Sequence, residues 1–377
     1  MKVMIVVTHL LGTGHLARAL TLARAYRAAG DTVCVVSGGM PAPLLNPSDV
    51  DVVQLPPVRS DGVDFAHLLG ADGTSITPEA MAQRQAHLLE HFARFAPDVL
   101  ITELFPFGRR SLRTEFTALL EMARTTPHPP LVCASVRDIL APPSKPSKAE
   151  YADEIIGQFY DAVLVHSDPD LMPLDLSWPV TPALSRMLHY TGFVAPPAPG
   201  PHPLATGTGE IIVSAGGGAV GGPVYDAAVA AAAHLRPPLR VLVGGPNPQR
   251  MIAGLRAQAP ASVQIEAARP DFRQMLTHAA ASVSLCGYNT ALDILQAGTP
   301  AVFVPFDDGG EVEQSLRARA LQRRAGIMAI TRAALTVPGL VSALEQVIAA
   351  PRRSHTAVEF DGADRTVTLT RMLRENR

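Results

Sequence analysis

The sequence predicts an α/β protein made of two doubly wound parallel sheets that face each other across a cleft. Three features of the 377 residues support this prediction. Short apolar runs rich in β-branched residues alternate with segments of helical periodicity, as in parallel sheets covered by helices. A glycine-rich loop follows the first strand of each half, and a proline-rich stretch separates the halves. Doubly wound sheets bind ligands at the carboxyl ends of their strands, so two such domains predict a cleft.

The first half opens on a strand, a glycine loop and a helix in direct succession. The run MKVMIVVT predicts a strand buried on both faces, and apolar residues at helical spacing predict a helix that stops at Gly30. The loop between them reads Gly12-Thr13-Gly14-His15, where glycines let the backbone approach a ligand and the helix start favours an anion. Further strands are predicted at 32–37, 49–55, 98–103, 130–136 and 161–167, and helices at 78–95 and 111–124.

A second strand–loop–helix unit follows the proline-rich stretch. Residues 196–209 hold five prolines between Pro196 and Pro203 and show no apolar period, which predicts an interdomain linker. EIIVSA then predicts a strand, GGGAVGG a glycine loop, and the next segment a helix with Pro223 in its first turn. We expect an N-terminal Rossmann-like domain over 1–195, the linker over 196–209, a C-terminal Rossmann-like domain over 210–355, and a helix within 356–377 that returns to the first domain.

Composition and charge exclude several classes of protein. The formal net charge of −2 gives no support for a nucleic-acid binder. The three cysteines lie far apart and form no C-x-x-C pair, so we expect neither structural zinc nor a disulfide framework. Apolar residues make up 47% of the chain, yet no run reaches the ~20 residues of a membrane span, and a strand starts the chain. We therefore expect a cytoplasmic protein without a bound metal.

The most specific pattern is SLCGYNTALDILQAGTPAVFVPFDDGGEVEQ, residues 284–314. It resembles the donor-binding motif of glycosyltransferases with two Rossmann-like domains, the GT-B fold. In plant members the motif reads roughly H-C-G-W-N-S-x-x-E, then a-G-v-P, then an acid–glutamine pair. The positions that match in register are Cys286, Gly287, Tyr288, Asn289, Thr290, Asp293, Gly298, Pro300, Glu313 and Gln314. The resemblance implies a nucleotide-sugar as co-substrate, with UDP-sugars as first candidates, and no other cofactor.

The motif implies binding roles for its residues, and the physics of helix starts agrees. CGYN ends a strand and opens a helix at Thr290, so backbone N–H groups there can hold a diphosphate. Asp293 lies one turn further, where its carboxylate can accept from ribose hydroxyls, and Glu313 and Gln314 can bond sugar hydroxyls. The alternatives are a helix-start acid for Asp293 and a solvated helix face for Glu313 and Gln314.

One position departs from the motif. The family's leading histidine, which is expected to contact a phosphate, is Leu285 here. The glycine loop of the second half can supply backbone amides in its place, as in the bacterial transferases that add N-acetylglucosamine to the peptidoglycan precursor. The donor-binding glycines expected from the two loops are Gly12, Gly14, Gly216, Gly217 and Gly218.

Two segments of the first half resemble the catalytic region of the same family. GTGHLARALTLA resembles the first loop, G-x-G-H, whose histidine is the general base of many inverting members, and this implies that role for His15. DVLITELFPF resembles the region whose acid orients that base, which implies Glu103. A carboxylate that faces an imidazole would fix its tautomer and raise its basicity. The alternatives are an ordinary loop histidine and, for Glu103, a surface acid or a pair with Arg109 or Arg110.

Other candidates follow from position alone. Arg137 and Asp138 come at the end of one predicted strand and His166 at the end of the next, so these three are candidates for the cleft and the acceptor. A local salt bridge or a turn is the alternative for each. Residues 104–116 mix three phenylalanines with three arginines, which would suit a lipid or an anionic acceptor. A helix with one buried face is the preferred interpretation, so peripheral membrane contact is not favoured.

The resemblance implies an inverting, metal-independent transfer of a sugar from a nucleotide-sugar to an acceptor hydroxyl. The acceptor stays open between a lipid-linked compound, a polysaccharide, a natural product and a protein. A nucleotide-sugar hydrolase or 2-epimerase on the same fold is the first alternative. A non-catalytic sugar-nucleotide-binding protein is an alternative of another class. A Rossmann dehydrogenase is disfavoured, because both glycine loops lack the dinucleotide fingerprint.

Overall fold

The computed structural model describes residues 1–42, 45, 47–62, 67–216, 220–245, 247–353 and 358–377. Contacts within the chain divide it into two compact units, and each is described by itself. The first comprises Met1–Pro196 with Phe360–Arg377, and the second comprises Pro197–Glu359. Each unit is built on one parallel sheet.

The first unit is a seven-stranded sheet in the order β3-β2-β1-β4-β5-β6-β7. Its elements are β1 (Lys2–Val7), α1 (Gly14–Ala28), β2 (Thr32–Ser37), β3 (Asp51–Gln54), α2 (Pro78–Phe95), β4 (Val99–Glu103), α3 (Arg113–Thr125), β5 (Leu131–Arg137), α4 (Pro146–Phe159), β6 (Ala162–His166), α5 (Pro182–Ser185) and β7 (Leu188–Tyr190). All strand pairs are parallel. The chain order reverses between β1 and β4, which makes their carboxyl ends the switch point where doubly wound sheets bind ligands.

The two faces of this sheet pack into two different cores. Val3 and Ile5 of β1 lie in a cluster with Leu20 of α1, whereas Met4 lies in a second cluster with Phe116 of α3. All five side chains are buried. The alternation explains why β1 reads as a continuous apolar run: both of its faces are covered, so no position along it favours a polar residue.

The second unit is a six-stranded sheet in the order β10-β9-β8-β11-β12-β13. Its elements are β8 (Ile211–Ser214), α6 (Gly222–Ala231), β9 (Leu239–Val243), α7 (Gln249–Gln258), β10 (Gln264–Ala267), α8 (Phe272–Leu276), β11 (Ala281–Ser284), α9 (Tyr288–Ala297), β12 (Ala301–Phe303), α10 (Glu313–Leu321), β13 (Ile327–Ala329) and α11 (Val337–Ala349). These strands also pair in parallel. The chain order reverses between β8 and β11, so the second switch point lies at their carboxyl ends.

The last helix, α12 (Gly362–Glu375), belongs to the first unit. Its residues Ala363 and Val367 are buried in the core cluster that contains α1. The hydroxyl of Thr370 lies 2.7 Å from the hydroxyl of Tyr26, and both side chains are buried. The apolar face and this hydrogen bond together attach the end of the chain to α1.

Two predicted segments need correction. Residues 197–209, predicted as part of a linker, belong to the second unit: His202 Nε2 lies 2.9 Å from Asp271 Oδ2, and the Gly209 N–H donates to the His278 carbonyl at 2.9 Å. The proline-rich stretch is therefore an irregular segment that is hydrogen-bonded to the rest of the second unit. The helix predicted at 111–124 begins as one 3₁₀ turn and becomes α-helical only at Arg113.

The described residues contain neither a membrane-spanning helix nor a cluster of metal ligands. No helix there is both long and apolar enough to cross a membrane. Nor does that part of the chain bring together three or more His, Cys, Asp or Glu side chains in an arrangement able to hold a metal ion.

Candidate active site

The first switch point brings the predicted base and the predicted acid together. Glu103 is the last residue of β4, and His15 lies in the first turn of α1, directly after the loop that leaves β1. Because β1 and β4 are adjacent parallel strands, both residues arrive at the same sheet edge. His15 Nδ1 lies 2.8 Å from Glu103 Oε1. The side chain of Glu103 is 1% exposed and that of His15 is 14% exposed, so the imidazole is the member that solvent can reach.

Of the two contacts at His15 Nδ1, the shorter favours one tautomer: Glu103 Oε1 lies 2.8 Å away and Arg18 Nη2 lies 3.1 Å away. An ionised carboxylate only accepts hydrogen bonds, so Nδ1 carries the proton and Nε2 keeps a lone pair. Burial lowers the pKa of His15 to about 3; the hydrogen bond that His15 donates to Glu103 opposes this shift, and the nearby cations Arg109 and Arg18 add to it. The imidazole is therefore neutral at neutral pH, as a proton acceptor must be.

Glu103 is held by three hydrogen-bond donors. Arg18 Nη2 and His15 both donate to Oε1, and the hydroxyl of Ser135 donates to Oε2 at 2.7 Å. Burial alone would raise the pKa of Glu103, but the Arg18 charge and His15 hold it well below its usual range. The alternative partners considered from the sequence bond elsewhere: Arg109 Nε donates to the Thr8 carbonyl at 2.5 Å, and Arg110 to the Phe107 carbonyl at 3.2 Å.

A buried polar chain continues behind Glu103. Ser135 gives its proton to Glu103, so its oxygen accepts from His166 Nε2 at 3.0 Å, and His166 Nδ1 lies 2.8 Å from the Thr191 hydroxyl. Burial, reinforced by the charge of Arg18, lowers the pKa of His166 to about 3. His166 is fully buried, so its predicted contact with an acceptor is wrong for this structure; it supports Glu103 from behind.

The other two acceptor candidates bond locally. Arg137 is partly exposed, and its Nε donates to the Ile139 carbonyl at 3.1 Å. Asp138 is fully buried and accepts from the Ile139 N–H at 2.7 Å. Burial removes Asp138 from any acceptor surface of this structure, which corrects that prediction, whereas Arg137 stays at the sheet edge.

The second switch point carries the predicted phosphate-binding elements. Gly216 follows β8 with a φ of +70°, and a Cβ added there would lie 3.8 Å from Thr290 Oγ1 in the first turn of α9. Gly287 is the N-cap of α9 and has no side chain to occupy the first N–H groups of that helix. Tyr288 and Asn289 complete the first turn. Gly217 and Gly218 lie outside the described residues.

Leu285, at the end of β11, is buried in the core of the second unit. A polar phosphate contact from this position is therefore absent in the described structure. In the first unit, Gly12 has a φ of +64° and no atom within 4 Å of an added Cβ, while Gly14 begins α1. These two glycines stand next to His15.

Two polar side chains of the donor motif, those of Asp293 and Gln314, are already engaged within the second unit. Asp293 Oδ1 accepts from Arg273 Nε at 2.8 Å; burial raises the pKa of Asp293 and Arg273 opposes the rise. Gln314 Oε1 accepts from the Cys286 N–H at 3.0 Å and the Phe306 N–H at 3.2 Å, which fastens the ends of β11 and β12 together. The bond to a sugar hydroxyl predicted for Gln314 would therefore use its side-chain NH₂ group, which is a donor.

Glu313 begins α10, and its own N–H donates to Glu311 at 2.6 Å. Sequence reasoning missed the arginine that supports this motif: Arg317 is 1% exposed, donates to the Cys286 carbonyl at 2.9 Å, and lies over the Tyr288 ring at 5.9 Å from its centroid. Its position one turn after Glu313 was visible in the sequence, but its inward orientation follows only from the packing of α10.

Comparison with known proteins gives a domain match for part of the chain and a fold for the whole of it. Residues 255–360 match the family described as Glycosyltransferase family 28 C-terminal domain. MurG of Acinetobacter baumannii is 14% identical, with a TM-score of 0.65 over 99% of this chain and 100% of that chain. The glycosyltransferase VinC, solved in complex with DTDP, is 14% identical, with a TM-score of 0.63 over 100% of both chains. UGT2 of Phytolacca americana, complexed with UDP-2fluoro-glucose and pterostilbene, is 13% identical, with a TM-score of 0.63 over 100% of this chain and 94% of that chain.

No curated protein matches the chain by sequence. The likeness to solved structures confirms the predicted GT-B fold. The domain match bears out the predicted class of enzyme, a glycosyltransferase.

Proposed function

From the premise of a glycosyltransferase family 28 C-terminal domain on a GT-B fold, we propose that the chain moves a sugar from a UDP-sugar to an acceptor hydroxyl with inversion at the anomeric carbon. The observation that carries this proposal is the His15–Glu103 pair at the first switch point. It supplies a neutral imidazole whose Nδ1–H is fixed by a carboxylate and whose Nε2 is available for a proton. An inverting transfer needs one such base on the acceptor side.

The donor-binding role falls to the second unit. The first turn of α9 presents backbone N–H groups to the diphosphate, since a helix start favours an anion, and Gly216 lies beside that turn. Asp293 binds the ribose while it shares its charge with Arg273. The side-chain NH₂ of Gln314 donates to a sugar hydroxyl, because its oxygen already accepts two backbone N–H groups. The DTDP bound to VinC and the UDP-2fluoro-glucose bound to UGT2 support a donor of this class.

In the proposed reaction, His15 accepts the proton of the acceptor hydroxyl at Nε2 while Glu103 holds Nδ1–H and stabilises the imidazolium that forms. The acceptor oxygen forms a bond to the anomeric carbon from the face opposite the diphosphate. The bond between that carbon and the diphosphate oxygen breaks, and its electron pair leaves with UDP. Backbone N–H groups at the start of α9 stabilise the developing charge, so the scheme is metal-independent.

The donor assignment is tested first by calorimetric binding of UDP to the full chain, with TDP, GDP, CDP and NAD as comparators. Asp293→Ala should weaken UDP binding by about tenfold, from the loss of a charged hydrogen-bond acceptor. Asp226→Ala is the matched control, because Asp226 is exposed on α6 of the same unit. Equal UDP affinity in wild type and Asp293→Ala, or no affinity for any nucleotide, would contradict the assigned donor site.

The catalytic assignment is tested by UDP release from UDP-sugars in the presence of an acceptor panel. His15→Ala should lower transfer by about 10²- to 10⁴-fold, the usual contribution of a general base, while UDP binding stays unchanged. Full transfer by this variant would show that His15 is not the base. Free sugar released at the same rate with and without acceptors would favour the nucleotide-sugar hydrolase instead.

A further inference from the structure

Arg109 of the first unit differs from the neighbouring buried arginines in its hydrogen-bond partners. It lies in the loop between β4 and α3, is partly exposed, and has a φ of +61° although it is not a glycine. Its Nε donates to the Thr8 carbonyl at the end of β1. Among the described residues, no carboxylate lies within the 4.0 Å of an ion pair with it. Its guanidinium therefore stands at the first switch point with one backbone acceptor.

The buried arginines nearby are paired. Arg84 is fully buried and donates from Nε to Glu115 at 2.7 Å, and Arg18 is bonded to Glu103. This pairing is expected, because a buried charge without a partner costs several kcal/mol. Arg109 departs from that pattern although burial is sufficient to lower its pKa to about 10.

The charges around the candidate base leave a surplus. The groups that interact electrostatically with Arg109 are Glu103, Arg18, His9 and His15. Both histidines have pKa values lowered by burial and are neutral at neutral pH. One carboxylate then stands against two guanidinium groups, which leaves one positive charge uncompensated beside the imidazole.

We propose that Arg109 binds an anionic oxygen group of the acceptor, a carboxylate or a phosphate, so that the acceptor is a hydroxyl compound with such a group close to the oxygen that receives the sugar. This inference rests on the proposed function for the identity of the ligand as an acceptor. The planar guanidinium matches both groups through parallel N–H donors. The bound anion would also cancel the repulsion between Arg109 and protonated His15, so the acceptor would strengthen the base that it needs.

The first test is calorimetric binding of phenyl phosphate and benzoate to the full chain, with neutral benzamide as the uncharged probe. Excess UDP is present to occupy any phosphate site of the second unit. Wild type should bind at least one of the two anions and not benzamide, and the tighter anion distinguishes phosphate from carboxylate. Arg109→Gln should weaken that binding by about tenfold or more, the effect of one charge-assisted contact. Arg113→Gln is the matched control, since Arg113 is exposed four residues later, and should bind as wild type does.

The second test follows the pKa of His15 by NMR, with and without whichever of phenyl phosphate and benzoate binds wild type more tightly. The pKa should rise when the anion binds, and Arg109→Gln should abolish that response. Equal anion affinity in wild type and Arg109→Gln, an equal loss in Arg113→Gln, or a His15 pKa that ignores the anion would each overturn the proposal. Intact UDP binding with no Arg109-dependent anion binding would overturn this inference alone, whereas absent UDP binding would overturn the proposed function and leave the anion result standing.

Discussion

The protonation state of the candidate base is set by its immediate neighbours. His15 is neutral at neutral pH because burial and two arginines disfavour its charged form, and Glu103 is ionised because Arg18 and His15 favour its charge. The residue types alone already predict an ionised glutamate, whereas an exposed histidine titrates near 6.5 and is partly charged at neutral pH. The pair therefore combines an unprotonated imidazole with a fixed charge that can stabilise the imidazolium.

Replacing Glu103 with Gln tests this pairing directly. The amide has nearly the same shape but no charge, so it cannot stabilise a protonated His15. We expect kcat for sugar transfer to fall by about 10²- to 10⁴-fold while KM for the donor changes little, because the lost interaction belongs to the transition state. Steady-state kinetics with a UDP-sugar and an active acceptor measures both quantities.

Glu121→Gln is the control for that variant, because Glu121 is exposed on α3 and the substitution removes the same charge from the same unit. Glu103→Gln also leaves Arg18 without its carboxylate, so unfolding must be monitored and kinetics recorded where the variant is folded. A folded Glu103→Gln enzyme with wild-type kcat would remove the acid from the mechanism.

The placement of both candidate sites follows from how strands and helices alternate. The family resemblance implied the roles of His15 and Glu103. Their proximity agrees with the rule that the carboxyl ends of adjacent parallel strands share one edge, because Glu103 closes one such strand and His15 follows the other. The contact between Ser135 and Glu103 could not be predicted from the sequence. It depends on the register of β4 and β5, which places the two residues opposite each other and which apolar runs do not specify. Arg273 pairs with Asp293 across two helices, and only the packing of α8 on α9 reveals it.

The loop after β8 offers a prediction at the level of the element. Gly216 and Gly209 lie at opposite ends of β8 with nearly equal φ values of +70° and +71°. Alanine at either position should cost about 1 kcal/mol of stability, since a Cβ is strained at positive φ. Only Gly216→Ala should also weaken UDP binding, because the added Cβ lies 3.8 Å from Thr290 Oγ1 at the start of α9.

Thermal unfolding and UDP calorimetry on both variants separate strain from ligand contact. Similar losses of stability with a selective loss of UDP affinity in Gly216→Ala would support phosphate binding by this loop. Equal UDP affinity in the two variants would mean that the loop does not reach the donor.

The whole chain consists of two units, each with its own buried cores. The prediction of a linker at 197–209 was wrong because prolines without apolar periodicity are also typical of flexible linkers. The His202–Asp271 contact that attaches this segment to the second unit joins residues 69 positions apart, so local sequence does not reveal it. The single tryptophan, Trp178, is buried in the first unit. Its fluorescence therefore reports the unfolding of the unit that carries His15 and Glu103.

That unit should lose stability as the pH falls from about 6.5 towards 3. The pKa values of His15 and His166 are each lowered to about 3 by burial, so between these limits the unfolded chain binds protons that the folded chain refuses. The free energy of unfolding then rises with pH, by about 1.4 kcal/mol per pH unit for each such histidine. Below the pKa of these histidines in the folded chain, both the folded and the unfolded chain bind the protons, so the free energy of unfolding no longer changes with pH through them.

Urea unfolding followed by Trp178 fluorescence between about pH 4 and 6 measures that slope. His166→Gln should reduce it by about 1.4 kcal/mol per pH unit, because one titrating group is removed. His128→Gln is the control, since His128 is exposed on the same unit and should leave the slope unchanged. The slope is the decisive quantity, because a lost hydrogen bond to Ser135 shifts stability equally at every pH whereas a lost proton changes its dependence on pH. An unaltered slope in His166→Gln would mean that His166 is not held neutral by burial.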